Sequence, residues 1–196
     1  MFVKICGLTS YDAIHAAVSA GADAVGFVFA DSPRRISPDK AARLCRELPD
    51  HLVRVAVMRH PSAEEWQAVR ERFAPNWLQT DAEDLESLRL PANFEPLPVY
   101  RNGQMTPAKR PARILFEGMR SGSGDVADWR EAASIATTTQ MILAGGLNAD
   151  NVVDAIHTVG PWGVDVSSGV ESEPANKDPE KIRLFIARVR AAERRQ

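Results

Sequence analysis

The chain has 196 residues, of which 44% are hydrophobic and 26% charged, and its formal net charge is −2. That size fits one domain, 1–196, which buries roughly 70% of its unfolded surface without a metal or disulfide staple. The near-neutral balance excludes nucleic-acid or anionic-membrane binding driven by bulk charge. No stretch approaches the ~20 apolar residues of a membrane span.

In chain order, β-rich runs alternate with amphipathic stretches. The spacing predicts strands at 2–6, 23–29, 52–58, 76–80, 97–101, 112–117, 140–144 and 163–167. Helices are expected at 10–20, 38–48, 62–73, 82–88, 125–136, 149–158 and 178–194. Ser37 before Pro38 is a cap followed by proline at the first helical position, and Ser62 with Glu65 is a capping box. Strict alternation implies a parallel sheet, and eight units imply closure into a (β/α)8 TIM barrel. Residues 102–111 hold two prolines and are too short for a full crossover helix, so helix 5 is expected to be missing or reduced. The lack of GxGxxG after the first strand argues against an open, doubly wound sheet.

In such barrels chemistry gathers at the C-terminal ends of the strands. Cys6 ends strand one and is a candidate acid, base or nucleophile there. Glu117 ends strand six and can serve as a general acid, or as a structural carboxylate paired with an arginine. Asp165 is read as an interior structural carboxylate. Lys4 lies below Cys6 on the same strand face, where it either favours the thiolate or pairs with Asp165. Three glycine-bearing segments follow strands six to eight and form a candidate phosphate cradle: Gly122 and Gly124, Gly145 and Gly146, and Ser167, Ser168 and Gly169. Arg34, after strand two, can grip a carboxylate through two parallel hydrogen bonds.

No histidine stands at a metal-ligand spacing from another histidine or carboxylate, so neither a metal nor a cofactor is expected. Cys45 reads as a helix residue packed on the barrel. Both cysteines are read as reduced, which suits the cytoplasm.

These motifs resemble the phosphoribosylanthranilate isomerase family of tryptophan biosynthesis, nearly end to end. The resemblance is carried by Lys4-Ile-Cys-Gly-Leu-Thr9, Gly21-Ala-Asp-Ala-Val-Gly-Phe27, Ser32-Pro-Arg34, Gly122-Ser-Gly124 with Asp128-Trp129, Ala144-Gly-Gly-Leu-Asn148, and Asp165-Val-Ser-Ser-Gly-Val-Glu171 with Lys177-Asp178. It implies a (β/α)8 barrel with an abbreviated fifth helix and a cofactor-free Amadori rearrangement of N-(5'-phosphoribosyl)anthranilate. It further implies Cys6 as general base, Arg34 as the anthranilate-binding arginine and the glycine segments as phosphate loops.

Three strand ends depart from the family pattern. Its general acid is an aspartate where this chain has Glu117. Strand four, which in the family ends Gln-Leu-His-Gly, here reads Gln79-Thr80-Asp81-Ala82, and strand three ends Val55-Ala-Val-Met58 rather than Val-Gly-Val-Phe. The expected partner is a small phosphosugar, with no nucleic acid or membrane, bound by a monomer or homodimer. The competing reading is a non-catalytic or differently specific phosphosugar-binding barrel.

Overall fold

The computed structural model describes residues 1–91, 94–104, 111–119 and 127–194. Eight parallel strands close into a barrel in chain order. They are β1 (Phe2–Cys6), β2 (Ala24–Val28), β3 (Val53–Val57), β4 (Trp77–Asp81), β5 (Glu95–Arg101), β6 (Arg113–Glu117), β7 (Gln140–Leu143) and β8 (Gly163–Val166). Closure is made by β8 pairing with β1, with Lys4 opposite Asp165. The structure is thus a (β/α)8 barrel, as the alternation implied.

Helices α1 (Tyr11–Ser19), α2 (Pro38–Leu44), α3 (Ala63–Phe73), α4 (Trp129–Ala136), α5 (Val152–Val159) and α6 (Pro179–Glu193) cover the sheet. Their starts are chemically marked. The side chains of Ser37 and Ser62 accept backbone N–H bonds from Lys40 and Glu65, and Glu65 reaches back to the Ser62 N–H. Asp128 and Asp178 cap α4 and α6 in the same way. α2 is shorter than expected because its last turn tightens: the Leu48 N–H reaches Cys45 O at 3.2 Å, just before Pro49.

Two connections depart from a full helix. Between β4 and β5 the expected helix at 82–88 is only a 3₁₀ turn, Ala82–Glu86. The residue placed to cap it, Asp81, gives it no side-chain bond because its carboxylate is held by Arg101. Asp84 within the turn points inward to Thr80 at 2.5 Å and to His60. Between β5 and β6, Asn102 and Gly103 form a turn, and residues 105–110 lie outside the described residues.

Strand periodicity divides the core in two. One face of each strand packs against the helices in a large apolar layer that includes Val25, Phe27, Leu78, Phe116 and Phe185. Burial of each such side chain stabilises by about 1.5–3 kcal/mol. The other face fills the barrel with Ala24, Val55, Leu97, Leu115 and Ile142. The barrel floor is aromatic: Phe2 stacks on Trp77 (5.2 Å) and Trp162 (4.7 Å), and the Arg113 guanidinium lies over both indoles. This plug supports the layer above it, where the inward side chains turn polar.

Candidate active site

At the C-terminal end of the barrel the inward polar positions include Cys6, Gln79, Asp81, Arg101, Glu117 and Asp165. They line one cavity of about 710 Å³ together with Arg34, Gly145, Gly146, Ser167 and Ser168. The strands bring these residues together because every second residue faces inward and each of them lies near the end of its strand or in the loop that follows.

Cys6 is buried at the cavity wall. Opposite it in the β1–β2 register stands Gly26. A Cβ there would lie 3.1 Å from Cys6 Sγ and 3.2 Å from Lys4 Cε, so the glycine makes room for both. Burial pushes the thiol above its ordinary pKa, the Lys4 and Lys177 cations pull the other way, and Asp165 adds to the rise. Lys4 is fully buried and its Nζ donates to Asp165 at 2.9 Å. Burial alone would discharge it, but Asp165 and Cys6 hold its pKa above the ordinary value. Lys4 pairs with Asp165, and its cation offsets only part of the rise that burial imposes on the thiol.

Arg34 reaches the same cavity from the loop after β2. Its stem passes over Gly7, where φ is +74° and a Cβ would sit 2.6 Å from Arg34 Cδ. The two parallel bonds expected of Arg34 are made within the protein: Nε and Nη2 donate to Glu171 at 2.7 and 2.8 Å. Lys177 Nζ lies 2.5 Å from the same carboxylate and also donates to the Ser167 carbonyl and hydroxyl oxygens. Glu171 and Lys177 belong to a small antiparallel hairpin, β9 (Glu171–Glu173) and β10 (Asn176–Lys177), that follows a 3₁₀ turn at Ser168–Val170. Burial would raise the Glu171 pKa, but Arg34 and Lys177 hold it down at about 2. Burial lowers the Lys177 pKa, and Glu171 offsets part of that.

The two described phosphate-loop candidates are tightly built. Gly145 and Gly146 have φ of +87° and +63°, and Asn151 fastens their loop by donating to the Gly146 carbonyl. Gly169 is not among the cavity's lining residues. A Cβ on it would stand 1.9 Å from the Leu147 carbonyl oxygen, so its lack of a side chain lets the loops after β7 and β8 pack together. Gly122 and Gly124 lie outside the described residues.

Glu117 ends β6 at the cavity with little solvent exposure, and its Oε1 is 3.2 Å from Arg101 Nε. Arg101 Nη2 donates to Asp81 at 2.6 Å. The spacing argument against a metal set needs one correction. Among the described residues, His60, Asp81 and Glu83 bring ligand atoms within 4.8 Å of one another, because the 3₁₀ turn folds residue 83 back toward the end of β3. Asp81 is already committed to Arg101, and His60 Nδ1 to Asp84 at 2.8 Å. These contacts make the group an ion-pair cluster at the rim.

The family model for N-(5'-phosphoribosyl)anthranilate (PRA) isomerase matches residues 3–188. The chain belongs to the phosphoribosylanthranilate isomerase family. Among relatives, the N-(5'-phosphoribosyl)anthranilate isomerase of Streptococcus pneumoniae (strain Hungary19A-6) is 40% identical over 191 residues, which is 96% of this chain and 95% of the relative. The crystal structure of phosphoribosyl anthranilate isomerase from Thermus thermophilus superposes with a TM-score of 0.84 at 30% identity, covering 97% of this chain and 99% of that one. A phosphoribosyl anthranilate isomerase in complex with reduced 1-(o-carboxyphenylamino)-1-deoxyribulose 5-phosphate gives 0.81 at 30% identity, with the same coverage. The family makes this chain an isomerase of tryptophan biosynthesis.

Sequence reasoning assigned no role to Glu171, Lys177, Asp81 or Arg101. Glu171 and Lys177 stood only inside a family motif, and Asp81 only as a departure from one. Arg101 gave no signal, since an arginine at the end of a strand has no pattern of its own.

Proposed function

We propose that this protein converts N-(5'-phosphoribosyl)anthranilate into 1-(2-carboxyphenylamino)-1-deoxyribulose 5-phosphate, with Glu117 as general acid and Cys6 as general base. The observation that carries this reading is that a thiol and a carboxyl group, on strands β1 and β6, line the same cavity as Arg34 and the glycine loops. The other buried ionisable pairs along that cavity, Lys4–Asp165 and Glu171–Lys177, are bound to each other.

The chemistry follows from that placement. Glu117 gives a proton to the furanose ring oxygen, the bond from that oxygen to C1 breaks, and the anthranilate nitrogen lone pair forms a Schiff base at C1. Cys6, as thiolate, takes the proton from C2, and the electron pair moves through C1 to the nitrogen, giving an enolamine. Protonation at C1 and loss of the C2 hydroxyl proton yield the ketone. No electrons leave the substrate, so the step needs no redox partner. General acid–base catalysis of this kind contributes about 10²–10⁴-fold.

Phosphate binding is assigned to Gly145, Gly146, Ser167 and Ser168, with Gly122, Gly124 and Gly169 completing or supporting the loops. Arg34 faces the anthranilate carboxylate while Glu171 fixes its guanidinium plane. The test is to mix purified protein with phosphoribosylanthranilate and follow the loss of anthranilate fluorescence. Turnover is expected. Binding without turnover would favour the non-catalytic barrel.

A further inference from the structure

Arg101 joins two of the positions at which this chain departs from its family along the cavity, Asp81 and Glu117. β4, β5 and β6 are adjacent, and their last inward residues are Asp81, Arg101 and Glu117. In the register Arg101 stands directly opposite Glu117. Its guanidinium uses one edge, Nη2, on Asp81 at 2.6 Å and its Nε on Glu117 at 3.2 Å. All three side chains are largely withdrawn from solvent.

A glutamate carries three side-chain torsions, and on a cavity wall it has several ways to point. Fixing such a side chain costs up to about 2 kcal/mol of rotamer entropy, and a planar, always-charged fork sets its direction. A fork tied at one edge only would itself swing. Asp81 removes that freedom, and its commitment is visible in the 3₁₀ turn it leaves uncapped. Asp81 also shares the guanidinium charge, so the cation beside Glu117 is partly neutralised.

We propose that Arg101, anchored by Asp81, is the positioning residue for Glu117 and compensates for the longer glutamate side chain. The proposal rests on Glu117 being the proton donor. Its function is to aim Glu117, so it acts on the chemical step more than on ground-state binding.

Steady-state kinetics with phosphoribosylanthranilate on Arg101→Met, Arg101→Lys and Asp81→Asn test it, together with Arg101→Met combined with Glu117→Gln. Thermal melting checks that each variant folds, and Arg101→Lys carries the test if Arg101→Met does not. Misplacing a catalytic group by about 1 Å costs up to ~10²-fold, so Arg101→Met should lower kcat about 10- to 100-fold with KM nearly unchanged. Arg101→Lys should recover part of that loss, and Asp81→Asn should give a smaller one. Once Glu117 is glutamine, Arg101→Met should cost nothing further. Unchanged kcat in both Arg101 variants, or the same fold-loss with and without the Glu117 carboxyl, would overturn the role of Arg101 alone. Full activity of Glu117→Gln would instead remove the donor, and this proposal with it.

Discussion

Arg34 and Glu171 meet edge to edge, with Nε and Nη2 donating to the two carboxylate oxygens at 2.7 and 2.8 Å. The partnership makes the site sensitive to acid. Glu171 is held at about 2 against an ordinary value of 4.5, so its folded form binds its proton later than the unfolded chain does. Its contribution to stability is complete above about pH 5 and is lost as pH falls toward 2. Urea unfolding at pH 7 and at pH 3 should show this loss, and Glu171→Gln should lose less between the two.

The buried Lys4–Asp165 pair gives a second expectation. Removing one partner of such a pair costs about 3–5 kcal/mol because the other charge is left without compensation. Lys4→Met should be destabilised by that amount, and Lys4→Met with Asp165→Asn should regain much of it, as read by denaturant midpoints.

With Cys6 as the proposed base, the thiol above that pair should set the pH dependence of the rate. Burial raises the Cys6 pKa, and the charges that act on it come from Lys4 on β1, Asp165 on β8 and Lys177 on β10. A base must be deprotonated to act, so kcat/KM should climb with pH through the alkaline range up to the thiol's raised value. Alkylation of Cys6 by iodoacetamide should climb over the same interval. A profile flat above pH 7 would contradict this.

Gly169 separates packing from conformational freedom. Gly169→Ala would drive a methyl group onto the Leu147 carbonyl at 1.9 Å, and overpacking of this kind costs about 1–3 kcal/mol. Inorganic phosphate affinity should fall with stability, because both loops must move. Gly21→Ala, at a φ of +90° but in open space, should cost about 1 kcal/mol and leave phosphate affinity unchanged.

The barrel floor should carry stability without catalysis. Trp77→Ala removes a ring that stacks on Phe2 beneath the Arg113 guanidinium, and large-to-small changes of this size cost about 3–5 kcal/mol. At temperatures where the variant stays folded, kcat should match that of the unmodified protein.

All eight strands were readable in the sequence because parallel strands read as apolar runs and several of the helices between them carry caps. Cys6 and Glu117 were readable from their places at the ends of strands one and six, and Asp165 as an interior carboxylate. The hairpin holding Glu171 and Lys177 was not, since strands of three and two residues are too short to show a period. The Asp84 turn was misread as a helix because 82–88 has helical composition. Only the folded chain shows that Asp84 is drawn inward to Thr80 and His60, and that Asp81 is taken by Arg101. The coupling of Asp81 to Glu117 spans three strands, so each residue appeared in the sequence as an isolated departure.

The most direct measurement is the turnover of phosphoribosylanthranilate by Cys6→Ser and by Glu117→Gln, with inorganic phosphate affinity measured alongside. The account predicts that each change lowers kcat about 10²–10⁴-fold while phosphate binds as before. Either variant working at the unmodified rate would contradict it.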